Sequence, residues 1–133
     1  DDYQASSYVG AMNFISRKLK EDGATSCVEL HFNAASPSAH GHEWLYWETS
    51  KGGKRLAESF NNAMQEEYPD IRPRGIKSRT HRQRGSLFLR KTPCYACIAE
   101  PFFGSNRGDV DIIMSDLSQL AKVYADGINN FYA

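Results

Sequence analysis

The chain has 133 residues, of which 41% are hydrophobic and 24% are charged, a composition typical of a single globular domain. Lys plus Arg and Asp plus Glu each number 16, so the zero formal net charge does not by itself predict a polyanionic partner. No run approaches the roughly 20 apolar residues of a membrane span, and the three cysteines predict reduced thiols rather than a disulfide framework.

The first two elements predicted along the chain are a helix and a strand. Apolar residues recur at helical spacing over residues 4–21, and Gly23 follows as a stop. Residues 25–33 alternate in polarity, which is typical of a strand with one face in the core. We expect the core face to carry Val28, Leu30 and Phe32. We expect the opposite face to carry Cys27, Glu29, His31 and Asn33.

A second strand and a second helix are predicted next. The strand spans residues 42–48. Ser50 then caps a helix over residues 51–67, which stops before Pro69. The apolar face of this helix carries Leu56, Phe60 and Met64.

The C-terminal half predicts a loop, two strands and a long helix. Residues 71–85 are rich in helix breakers and basic side chains and predict a loop, whereas residues 86–90 and 94–100 predict strands. An apolar stripe over residues 109–131, with Asp109 as its cap, predicts the last helix. The order α-β-β-α-β-β-α predicts one α/β domain spanning all 133 residues, in which helices flank a twisted mixed sheet.

Charge is distributed unevenly along the chain. Residues 71–99 contain no acid but hold eight of the 16 basic residues. These are Arg72, Arg74, Lys77, Arg79, Arg82, Arg84, Arg90 and Lys91. The segment is either a solvated surface balanced by acids elsewhere or a rim that attracts an anionic polymer. We do not favour nucleic-acid binding, because no aromatic side chain interrupts residues 71–87 to stack on bases.

Two predicted strands end in groups that can carry chemistry. His31 lies at the end of the first strand and Glu100 at the end of the last, and strand ends are where sites form in α/β sheets. A neutral imidazole is a common zinc ligand, and a nearby carboxylate can move protons for a metal-bound water. A hydrogen-bonded structural histidine is the more common role of a lone strand histidine, so this pattern leaves both roles open.

Cys94 and Cys97 have the spacing C-x-x-C of redox and zinc motifs. They fall in a predicted strand, where positions three apart face opposite sides of the sheet. The sequence therefore predicts neither a redox nor a metal role for this pair.

Four segments of the chain carry a resemblance to a known family. They are "VELHFNA", "GHEWLYW", "RGIK" and "LFLRKTPCYACIAEPFFGSNRGD", followed by an amphipathic helix. In this order, over residues 5–131, they resemble the zinc-dependent N-acetylmuramoyl-L-alanine amidases of bacteria and phage endolysins. The pair "LHFNA" and "AEPFFGSN", about seventy residues apart, is the most specific part of the resemblance.

The resemblance implies a zinc hydrolase that cleaves the amide between N-acetylmuramic acid and L-alanine in peptidoglycan. His31 matches the family's third metal ligand, and Glu100 matches the catalytic glutamate, which passes a proton from the attacking water to the leaving amine. We predict that two further acids support these groups, namely Glu29 and Glu43. We predict that the substrate contacts Asn33, His42 and Arg90.

The chain departs from the family at its N-terminal side. The family has a first strand with a metal-binding histidine and then a helix with a metal-binding glutamate, and both are missing before residue 4. We favour a C-terminal part of a longer polypeptide, whose N-terminal segment would be a partner of this chain. An inactive truncated product and a site completed by other residues are the alternatives. The spare histidines are His40, His42 and His81.

The leading hypothesis is a peptidoglycan amidase of the phage-lysin or prophage kind, acting on the cell wall at the periplasmic or extracellular face. No signal peptide precedes its first helix, so such a protein would stay cytoplasmic until phage-mediated release. We expect zinc as cofactor, peptidoglycan as partner and no membrane association. The alternative hypothesis is a non-catalytic or inactive module that binds the cell wall.

Overall fold

The computed structural model describes residues 7–133, which form a four-stranded sheet with helices on both faces. The strands are β1 (Ser26–Leu30), β2 (His42–Trp47), β3 (Pro73–Arg79) and β4 (Tyr95–Glu100). The helices are α1 (Tyr8–Glu21), α2 (Lys51–Glu67), α3 (Ser86–Lys91), α4 (Arg107–Ser115) and α5 (Leu117–Tyr132). Residues 4–6 of the first predicted helix lie outside the described residues. None of these helices is long and apolar enough to cross a membrane.

The sheet is mixed and has the strand order β1-β4-β2-β3. The pairs β1–β4 and β2–β3 are parallel, whereas β2 and β4 are antiparallel. This confirms the predicted single α/β domain, with helices flanking a mixed sheet. Within residues 7–133, β1 lies at one edge and pairs with β4 alone. That a first strand and helix of the family fold are missing stays a prediction.

Buried side chains form two clusters, one on each face of the sheet. The larger cluster lies under α2, α4 and α5 and includes Trp44, Phe60 and Ile113. The smaller cluster lies under α1 and α3 and includes Met12 and Leu45. Successive residues of a strand point to opposite faces, so Trp44 and Leu45 of β2 enter different clusters. The sheet is therefore the middle layer of three.

The packing of α2 against α5 and the sheet forms the larger of the two buried clusters. The hydroxyl of Ser50 accepts a hydrogen bond from the Gly53 amide at 3.0 Å, which confirms the predicted start of α2. Inside α2, the ring of Phe60 stacks on Trp44 with 5.4 Å between ring centroids. A Cβ atom at Gly127 of α5 would lie 2.2 Å from the Phe60 ring, so only glycine lets the two helices approach this closely.

The two elements predicted between residues 71 and 90 are wrong. The predicted loop over residues 71–85 contains β3, which pairs in parallel with β2 at the edge of the sheet. An edge strand tolerates Pro73 and many charges because one side of it needs no partner. The predicted strand over residues 86–90 is the helix α3, which buries Phe88 and Leu89. Three apolar residues in a row are too few to separate a helix from a strand by periodicity.

The predicted last helix is in fact two helices, α4 and α5. The chain is extended at Asp116, with φ −156° and ψ 97°, and this residue caps the start of α5. The cap of α4 is Asn106 rather than the predicted Asp109. The Asp109 carboxylate is buried and accepts hydrogen bonds from the amides of Gly41 and Phe103. Asp109 therefore anchors two loops instead of opening a helix.

The predicted core face of the first strand is only partly correct. Val28 packs against the larger cluster, but the side chains of Leu30 and Phe32 are 64% and 59% exposed. Cys27, expected on the polar face, packs against the smaller cluster. Helices cover both faces of the sheet, so successive side chains of β1 point into two different cores. They do not alternate between core and solvent. The regular strand ends at Leu30, where this cover ends.

Candidate active site

His31 and Glu100 leave the sheet side by side. His31 follows directly after β1, and Glu100 is the last residue of β4. Because β1 and β4 are parallel, both strands end at the same edge, where the His31 amide donates to the Ala99 carbonyl at 3.0 Å. Both side chains line one cavity of about 340 Å³. The structure thus brings together the two residues that the sequence singled out.

Glu29 joins these two residues at the cavity. Its Oε1 atom contacts the Nε2 nitrogen of the His31 imidazole. Its other oxygen, Oε2, is buried and has no hydrogen-bond partner among the described residues. Leaving a buried acceptor unsatisfied costs free energy. Glu29 therefore holds the His31 ring and keeps one acceptor that the described chain does not use.

Glu43 and Glu100 form a coupled pair across β2 and β4. They are register partners, and both are nearly buried, with 7% and 5% of their surface exposed. The Glu43 carboxylate accepts from the Arg74 Nε at 3.0 Å and from the Asn33 Nδ2 at 2.8 Å. The Arg74 guanidinium also lies over the ring of Phe103, 5.0 Å from its centroid. Glu43 is thus the member of the pair that receives hydrogen bonds from both Arg74 and Asn33.

The surroundings drive the pKa values of this pair apart. Burial raises the pKa of Glu100 above its ordinary range, and the hydrogen bond and charge of Glu43 raise it further, against smaller opposing effects of Arg84 and His31. Burial also opposes the charge on Glu43, but hydrogen bonds from Arg74, Glu100 and Asn33 outweigh it and lower its pKa. Two carboxyl groups with separated pKa values can divide acid and base roles. Here Glu43 keeps the charge and Glu100 is the group suited to exchanging a proton.

The three predicted substrate contacts lie in different surroundings. Asn33 is half-buried and holds Glu43, and its backbone bridges to Phe103. His42 is fully buried, and its Nδ1 accepts from the Trp44 indole at 3.0 Å. Burial lowers the pKa of His42 to about 4, so the ring is neutral at pH 7. Arg90 lies on the exposed side of α3, outside the residues that line the cavity. The structure therefore brings only Asn33 close to the carboxyl pair.

The remaining histidines and the thiols lie apart from this cavity. Of the spare histidines, His42 is fully buried, whereas His40 is exposed in the loop before β2. His81 packs edge-on against Trp47, with 5.1 Å between centroids. Cys97 is buried, and this burial raises its thiol pKa, which disfavours the thiolate that redox chemistry requires.

Two functional candidates, Arg74 and Arg84, were not singled out from the sequence. Arg74 donates a hydrogen bond to Glu43 and stabilises its negative charge, and Arg84 lines the same cavity as Glu100. The run of basic residues between 71 and 99 was the only signal for them. Spacing along a chain cannot show which of eight cations turns toward the site, because that depends on how β3 and the following turn are placed.

The zinc that the family resemblance implies can be tested against these side chains. Imidazole and carboxylate groups are suitable zinc ligands. Within residues 7–133, however, no three side chains of His, Cys, Asp or Glu come together in a way that could hold a metal ion. The His31 nitrogen in addition contacts Glu29. The described residues therefore do not fit a complete zinc site.

This donor set predicts weak zinc binding by the 133-residue chain. Since one imidazole holds zinc poorly, micromolar zinc is expected to leave the thermal midpoint unchanged, because stabilisation requires a ligand concentration above Kd. Titration calorimetry and a thermal scan with and without zinc measure this. Stoichiometric binding that raises the midpoint in the natural chain but not in His31→Ala would contradict the prediction.

Removing the cation beside Glu43 should destabilise the domain in a pH-dependent way. We expect Arg74→Met to cost about 1–3 kcal/mol at pH 7, because it leaves a nearly buried carboxylate with fewer donors. The lowered pKa of Glu43 means that its charge contributes stability above its ordinary pKa of 4.5, a contribution lost as the pH falls through the folded-state value. The loss should therefore shrink at low pH in urea unfolding series.

The matched control for Arg74→Met is Arg72→Met. Arg72 is exposed, and its side chain makes no ion pair within residues 7–133. It should change the unfolding free energy by no more than about 0.5 kcal/mol at either pH. An Arg74→Met loss of the same size at pH 7 and at low pH would show that packing on Phe103, not charge, is what Arg74 contributes.

An α/β fold places His31 and Glu100 at one cavity, with Glu43 beside Glu100, and these side chains are of the kinds that hydrolases use for proton transfer. The sequence model of the N-acetylmuramoyl-L-alanine amidase family matches residues 6–130, so the chain belongs to this family of hydrolases. The resemblance predicted from the sequence is thereby confirmed. No curated protein matches the chain.

Solved structures of amidases share the fold. The chain is similar to an N-acetylmuramoyl-L-alanine amidase from Clostridium difficile 630, with 23% identity and a TM-score of 0.80 over 99% of this chain and 68% of that chain. It is also similar to the catalytic domain of an endolysin targeting Clostridia Difficile, with 23% identity and a TM-score of 0.80 over 96% and 66%. The catalytic domain of an N-acetylmuramoyl-L-alanine amidase from Bacillus (Paenibacillus) polymyxa var. colistinus is also similar, with 20% identity and a TM-score of 0.76. This match covers 99% of this chain and 68% of that chain. The chain thus spans about two thirds of each.

Proposed function

We propose that the chain hydrolyses the amide bond between N-acetylmuramic acid and L-alanine in peptidoglycan, in cell-wall degradation or phage lysis. One observation carries this proposal. His31 and Glu100, the two residues that match the family's site, line one cavity, and Glu100 is coupled to a second carboxyl group. Family membership supplies the substrate class.

Glu100 would carry the proton transfer of this reaction. Its raised pKa brings the carboxyl group closer to the pH at which it can both take a proton from water and return one to the leaving amine. Glu43 would remain charged through its contacts with Arg74 and Asn33. It would hold Glu100 in place through their hydrogen bond. Separating the two roles within one pair avoids the repulsion of two adjacent negative charges.

Zinc dependence of this activity follows from the family resemblance, not from the metal ligands of the described residues. His31 would supply one ligand, and no group of three ligands is assembled within residues 7–133. Bound zinc would polarise the scissile carbonyl. The roles assigned to Glu100 and Glu43 do not depend on that contribution. An N-terminal segment of the same polypeptide stays a proposed partner.

A cell-wall assay tests the proposal directly. The intact chain is incubated with purified cell walls, with zinc in excess, and newly exposed N-terminal L-alanine is measured by amine labelling and hydrolysis. Release of L-alanine above a boiled-protein control is the expected outcome. New reducing sugar ends, measured separately, or other labelled N-terminal amino acids without L-alanine would show a different bond specificity.

A second candidate is a module that binds the cell wall without cutting it. The observation that favours it is the incomplete set of metal ligands in the described chain. This candidate predicts that pull-down with cell walls persists in His31→Ala while no L-alanine appears. Loss of pull-down in His31→Ala, with Ser36→Ala as an exposed control in the loop before β2, would count against it.

A further inference from the structure

Arg84 occupies the boundary between two concave surfaces of the domain. The first is the cavity that contains Glu29, His31 and Glu100. The second is a neighbouring groove whose lining includes Leu30, Phe32, Ala34, Pro101, Phe102, Leu120 and Tyr124. Within residues 7–133, His31 and Arg84 are the two residues that line both the cavity and the groove. A ligand that extends from the cavity into the groove must therefore pass the guanidinium of Arg84.

A tight turn between β3 and α3 sets the position of Arg84. The Thr80 amide donates to the Gln83 side chain at 2.7 Å, and the Gln83 amide donates back to the Thr80 carbonyl at 3.3 Å. The Ser86 amide then closes on the Gln83 carbonyl at 3.1 Å, across Gly85 with φ +84°. Arg84 thus projects from a hydrogen-bonded turn rather than from a run of unstructured chain.

The Arg84 charge opposes the rise in the pKa of Glu100, but its guanidinium makes no close contact with an acid in the described chain. Among residues 7–133, its guanidinium makes no hydrogen bond or ion pair, whereas Arg74 and Lys91 of the same basic segment are paired with Glu43 and Asn13. Of the described residues that line the cavity, it is also the one cation. The two acids of the cavity make their hydrogen bonds elsewhere: Glu29 contacts His31 through Oε1, and Glu100 is held by Glu43. The guanidinium is therefore free to receive an anion from a ligand.

We propose that Arg84 binds a carboxylate on the peptide side of the substrate, so that the chain prefers muramoyl peptides with a free carboxylate one residue beyond the scissile amide. This rests on the proposed amidase function and names a specificity residue for it. Peptidoglycan stem peptides carry at this point a γ-linked D-glutamyl residue, whose α-carboxyl group is either free or amidated. An arginine distinguishes the two forms, because a carboxylate accepts its paired N–H donors and a carboxamide offers one acceptor and a repelled donor.

The test compares two probes that differ in this group alone. They are N-acetylmuramoyl-L-alanyl-D-isoglutamate and N-acetylmuramoyl-L-alanyl-D-isoglutamine. Their Kd values are measured by titration calorimetry on the full chain carrying Glu100→Gln, which prevents turnover. We expect the acid to bind about tenfold more tightly than the amide, the size of one charge-assisted hydrogen-bonded contact. Arg84→Gln should remove this preference by weakening binding of the acid only.

The matched control is Arg82→Gln, which removes the same charge from the same turn. Arg82 is exposed and lies outside the lining of both the cavity and the groove. Its removal should leave the tenfold preference intact, while circular dichroism checks that each variant is folded. Equal binding of the two probes by the Glu100→Gln chain would overturn the inference. So would an equal loss of affinity for the acid in both arginine variants, because such a loss reflects the overall charge of the protein.

The binding experiment separates this inference from the proposed hydrolysis. If the unaltered chain releases L-alanine but binds both probes equally, the Arg84 assignment fails and the amidase proposal stands. If the acid is preferred through Arg84 but no L-alanine is released, the specificity stands and the site binds without cutting. If neither probe binds and no L-alanine appears, both proposals are overturned.

Discussion

Replacing Glu100 by glutamine is expected to lower kcat for release of L-alanine by a factor of about 10²–10⁴, the usual contribution of a positioned acid–base group. Glutamine has nearly the same shape and can donate to Glu43 as the neutral acid does, so the fold should persist. It cannot give up or take a proton, so KM should change much less than kcat. Initial rates on a soluble muramoyl peptide, measured with zinc in excess, give both constants.

The control for this substitution is Glu48→Gln. Glu48 is an exposed acid directly after β2, outside the residues that line the cavity. It makes the same carboxyl-to-amide change at the opposite end of β2 from Glu43 and should leave kcat within twofold of the natural value, roughly 0.4 kcal/mol in barrier height. If Glu100→Gln retains full activity with unchanged circular dichroism, proton transfer does not pass through Glu100, and the role proposed for the carboxyl pair is wrong.

Helices were predictable where local signals agreed with one another. The helix after Ser50 has a cap, an apolar stripe and a proline beyond its end, and it begins and ends where these signals place it. The segment over residues 86–90 has none of these and was assigned to the wrong element. It is helical because Phe88 and Leu89 then pack under the sheet beside α1. This is a tertiary contact, which the six residues of the segment do not encode by themselves.

The edge strand β3 shows a second limit of sequence patterns. Its residues include Pro73, Gly75 and several charges, all of which favour a loop in a local reading. Pairing with β2 on one side alone removes the penalty for these residues. Whether a segment lies at an edge depends on the arrangement of the whole sheet, so strand and loop could not be distinguished from the segment itself.

The candidate site was predictable to the extent that it lies at strand ends. Parallel pairing of β1 and β4 places His31 beside Glu100, as the position of both residues at strand ends suggested. The partners that give Glu100 its raised pKa were less visible. Its coupling to Glu43 depends on an antiparallel register, and the charge on Glu43 depends on Arg74 reaching over from β3. These are contacts between distant parts of the chain.

Truncating Phe60 to alanine should have the largest effect on stability, a loss of about 3–5 kcal/mol. Its side chain is fully buried, stacks on Trp44 and meets Tyr124 edge-on at 6.1 Å between centroids. It also fills the space that Gly127 leaves open on α5. The surrounding helices cannot close this gap without shifting, so a cavity would remain between α2 and the sheet. Urea unfolding, followed by circular dichroism, measures the change in the free energy of unfolding.

Phe32→Ala is the matched control, because it removes the same atoms from a surface position. Phe32 is 59% exposed and stacks on Phe102 at 5.6 Å between ring centroids, so its loss should cost about 1 kcal/mol. The difference between the two variants isolates the cost of a buried void from the cost of losing a ring. Equal losses in both would mean that the layer between α2, α5 and the sheet is loosely packed. The stacked rings of Trp44 and Phe60 would then not be the main source of stability in the larger buried cluster.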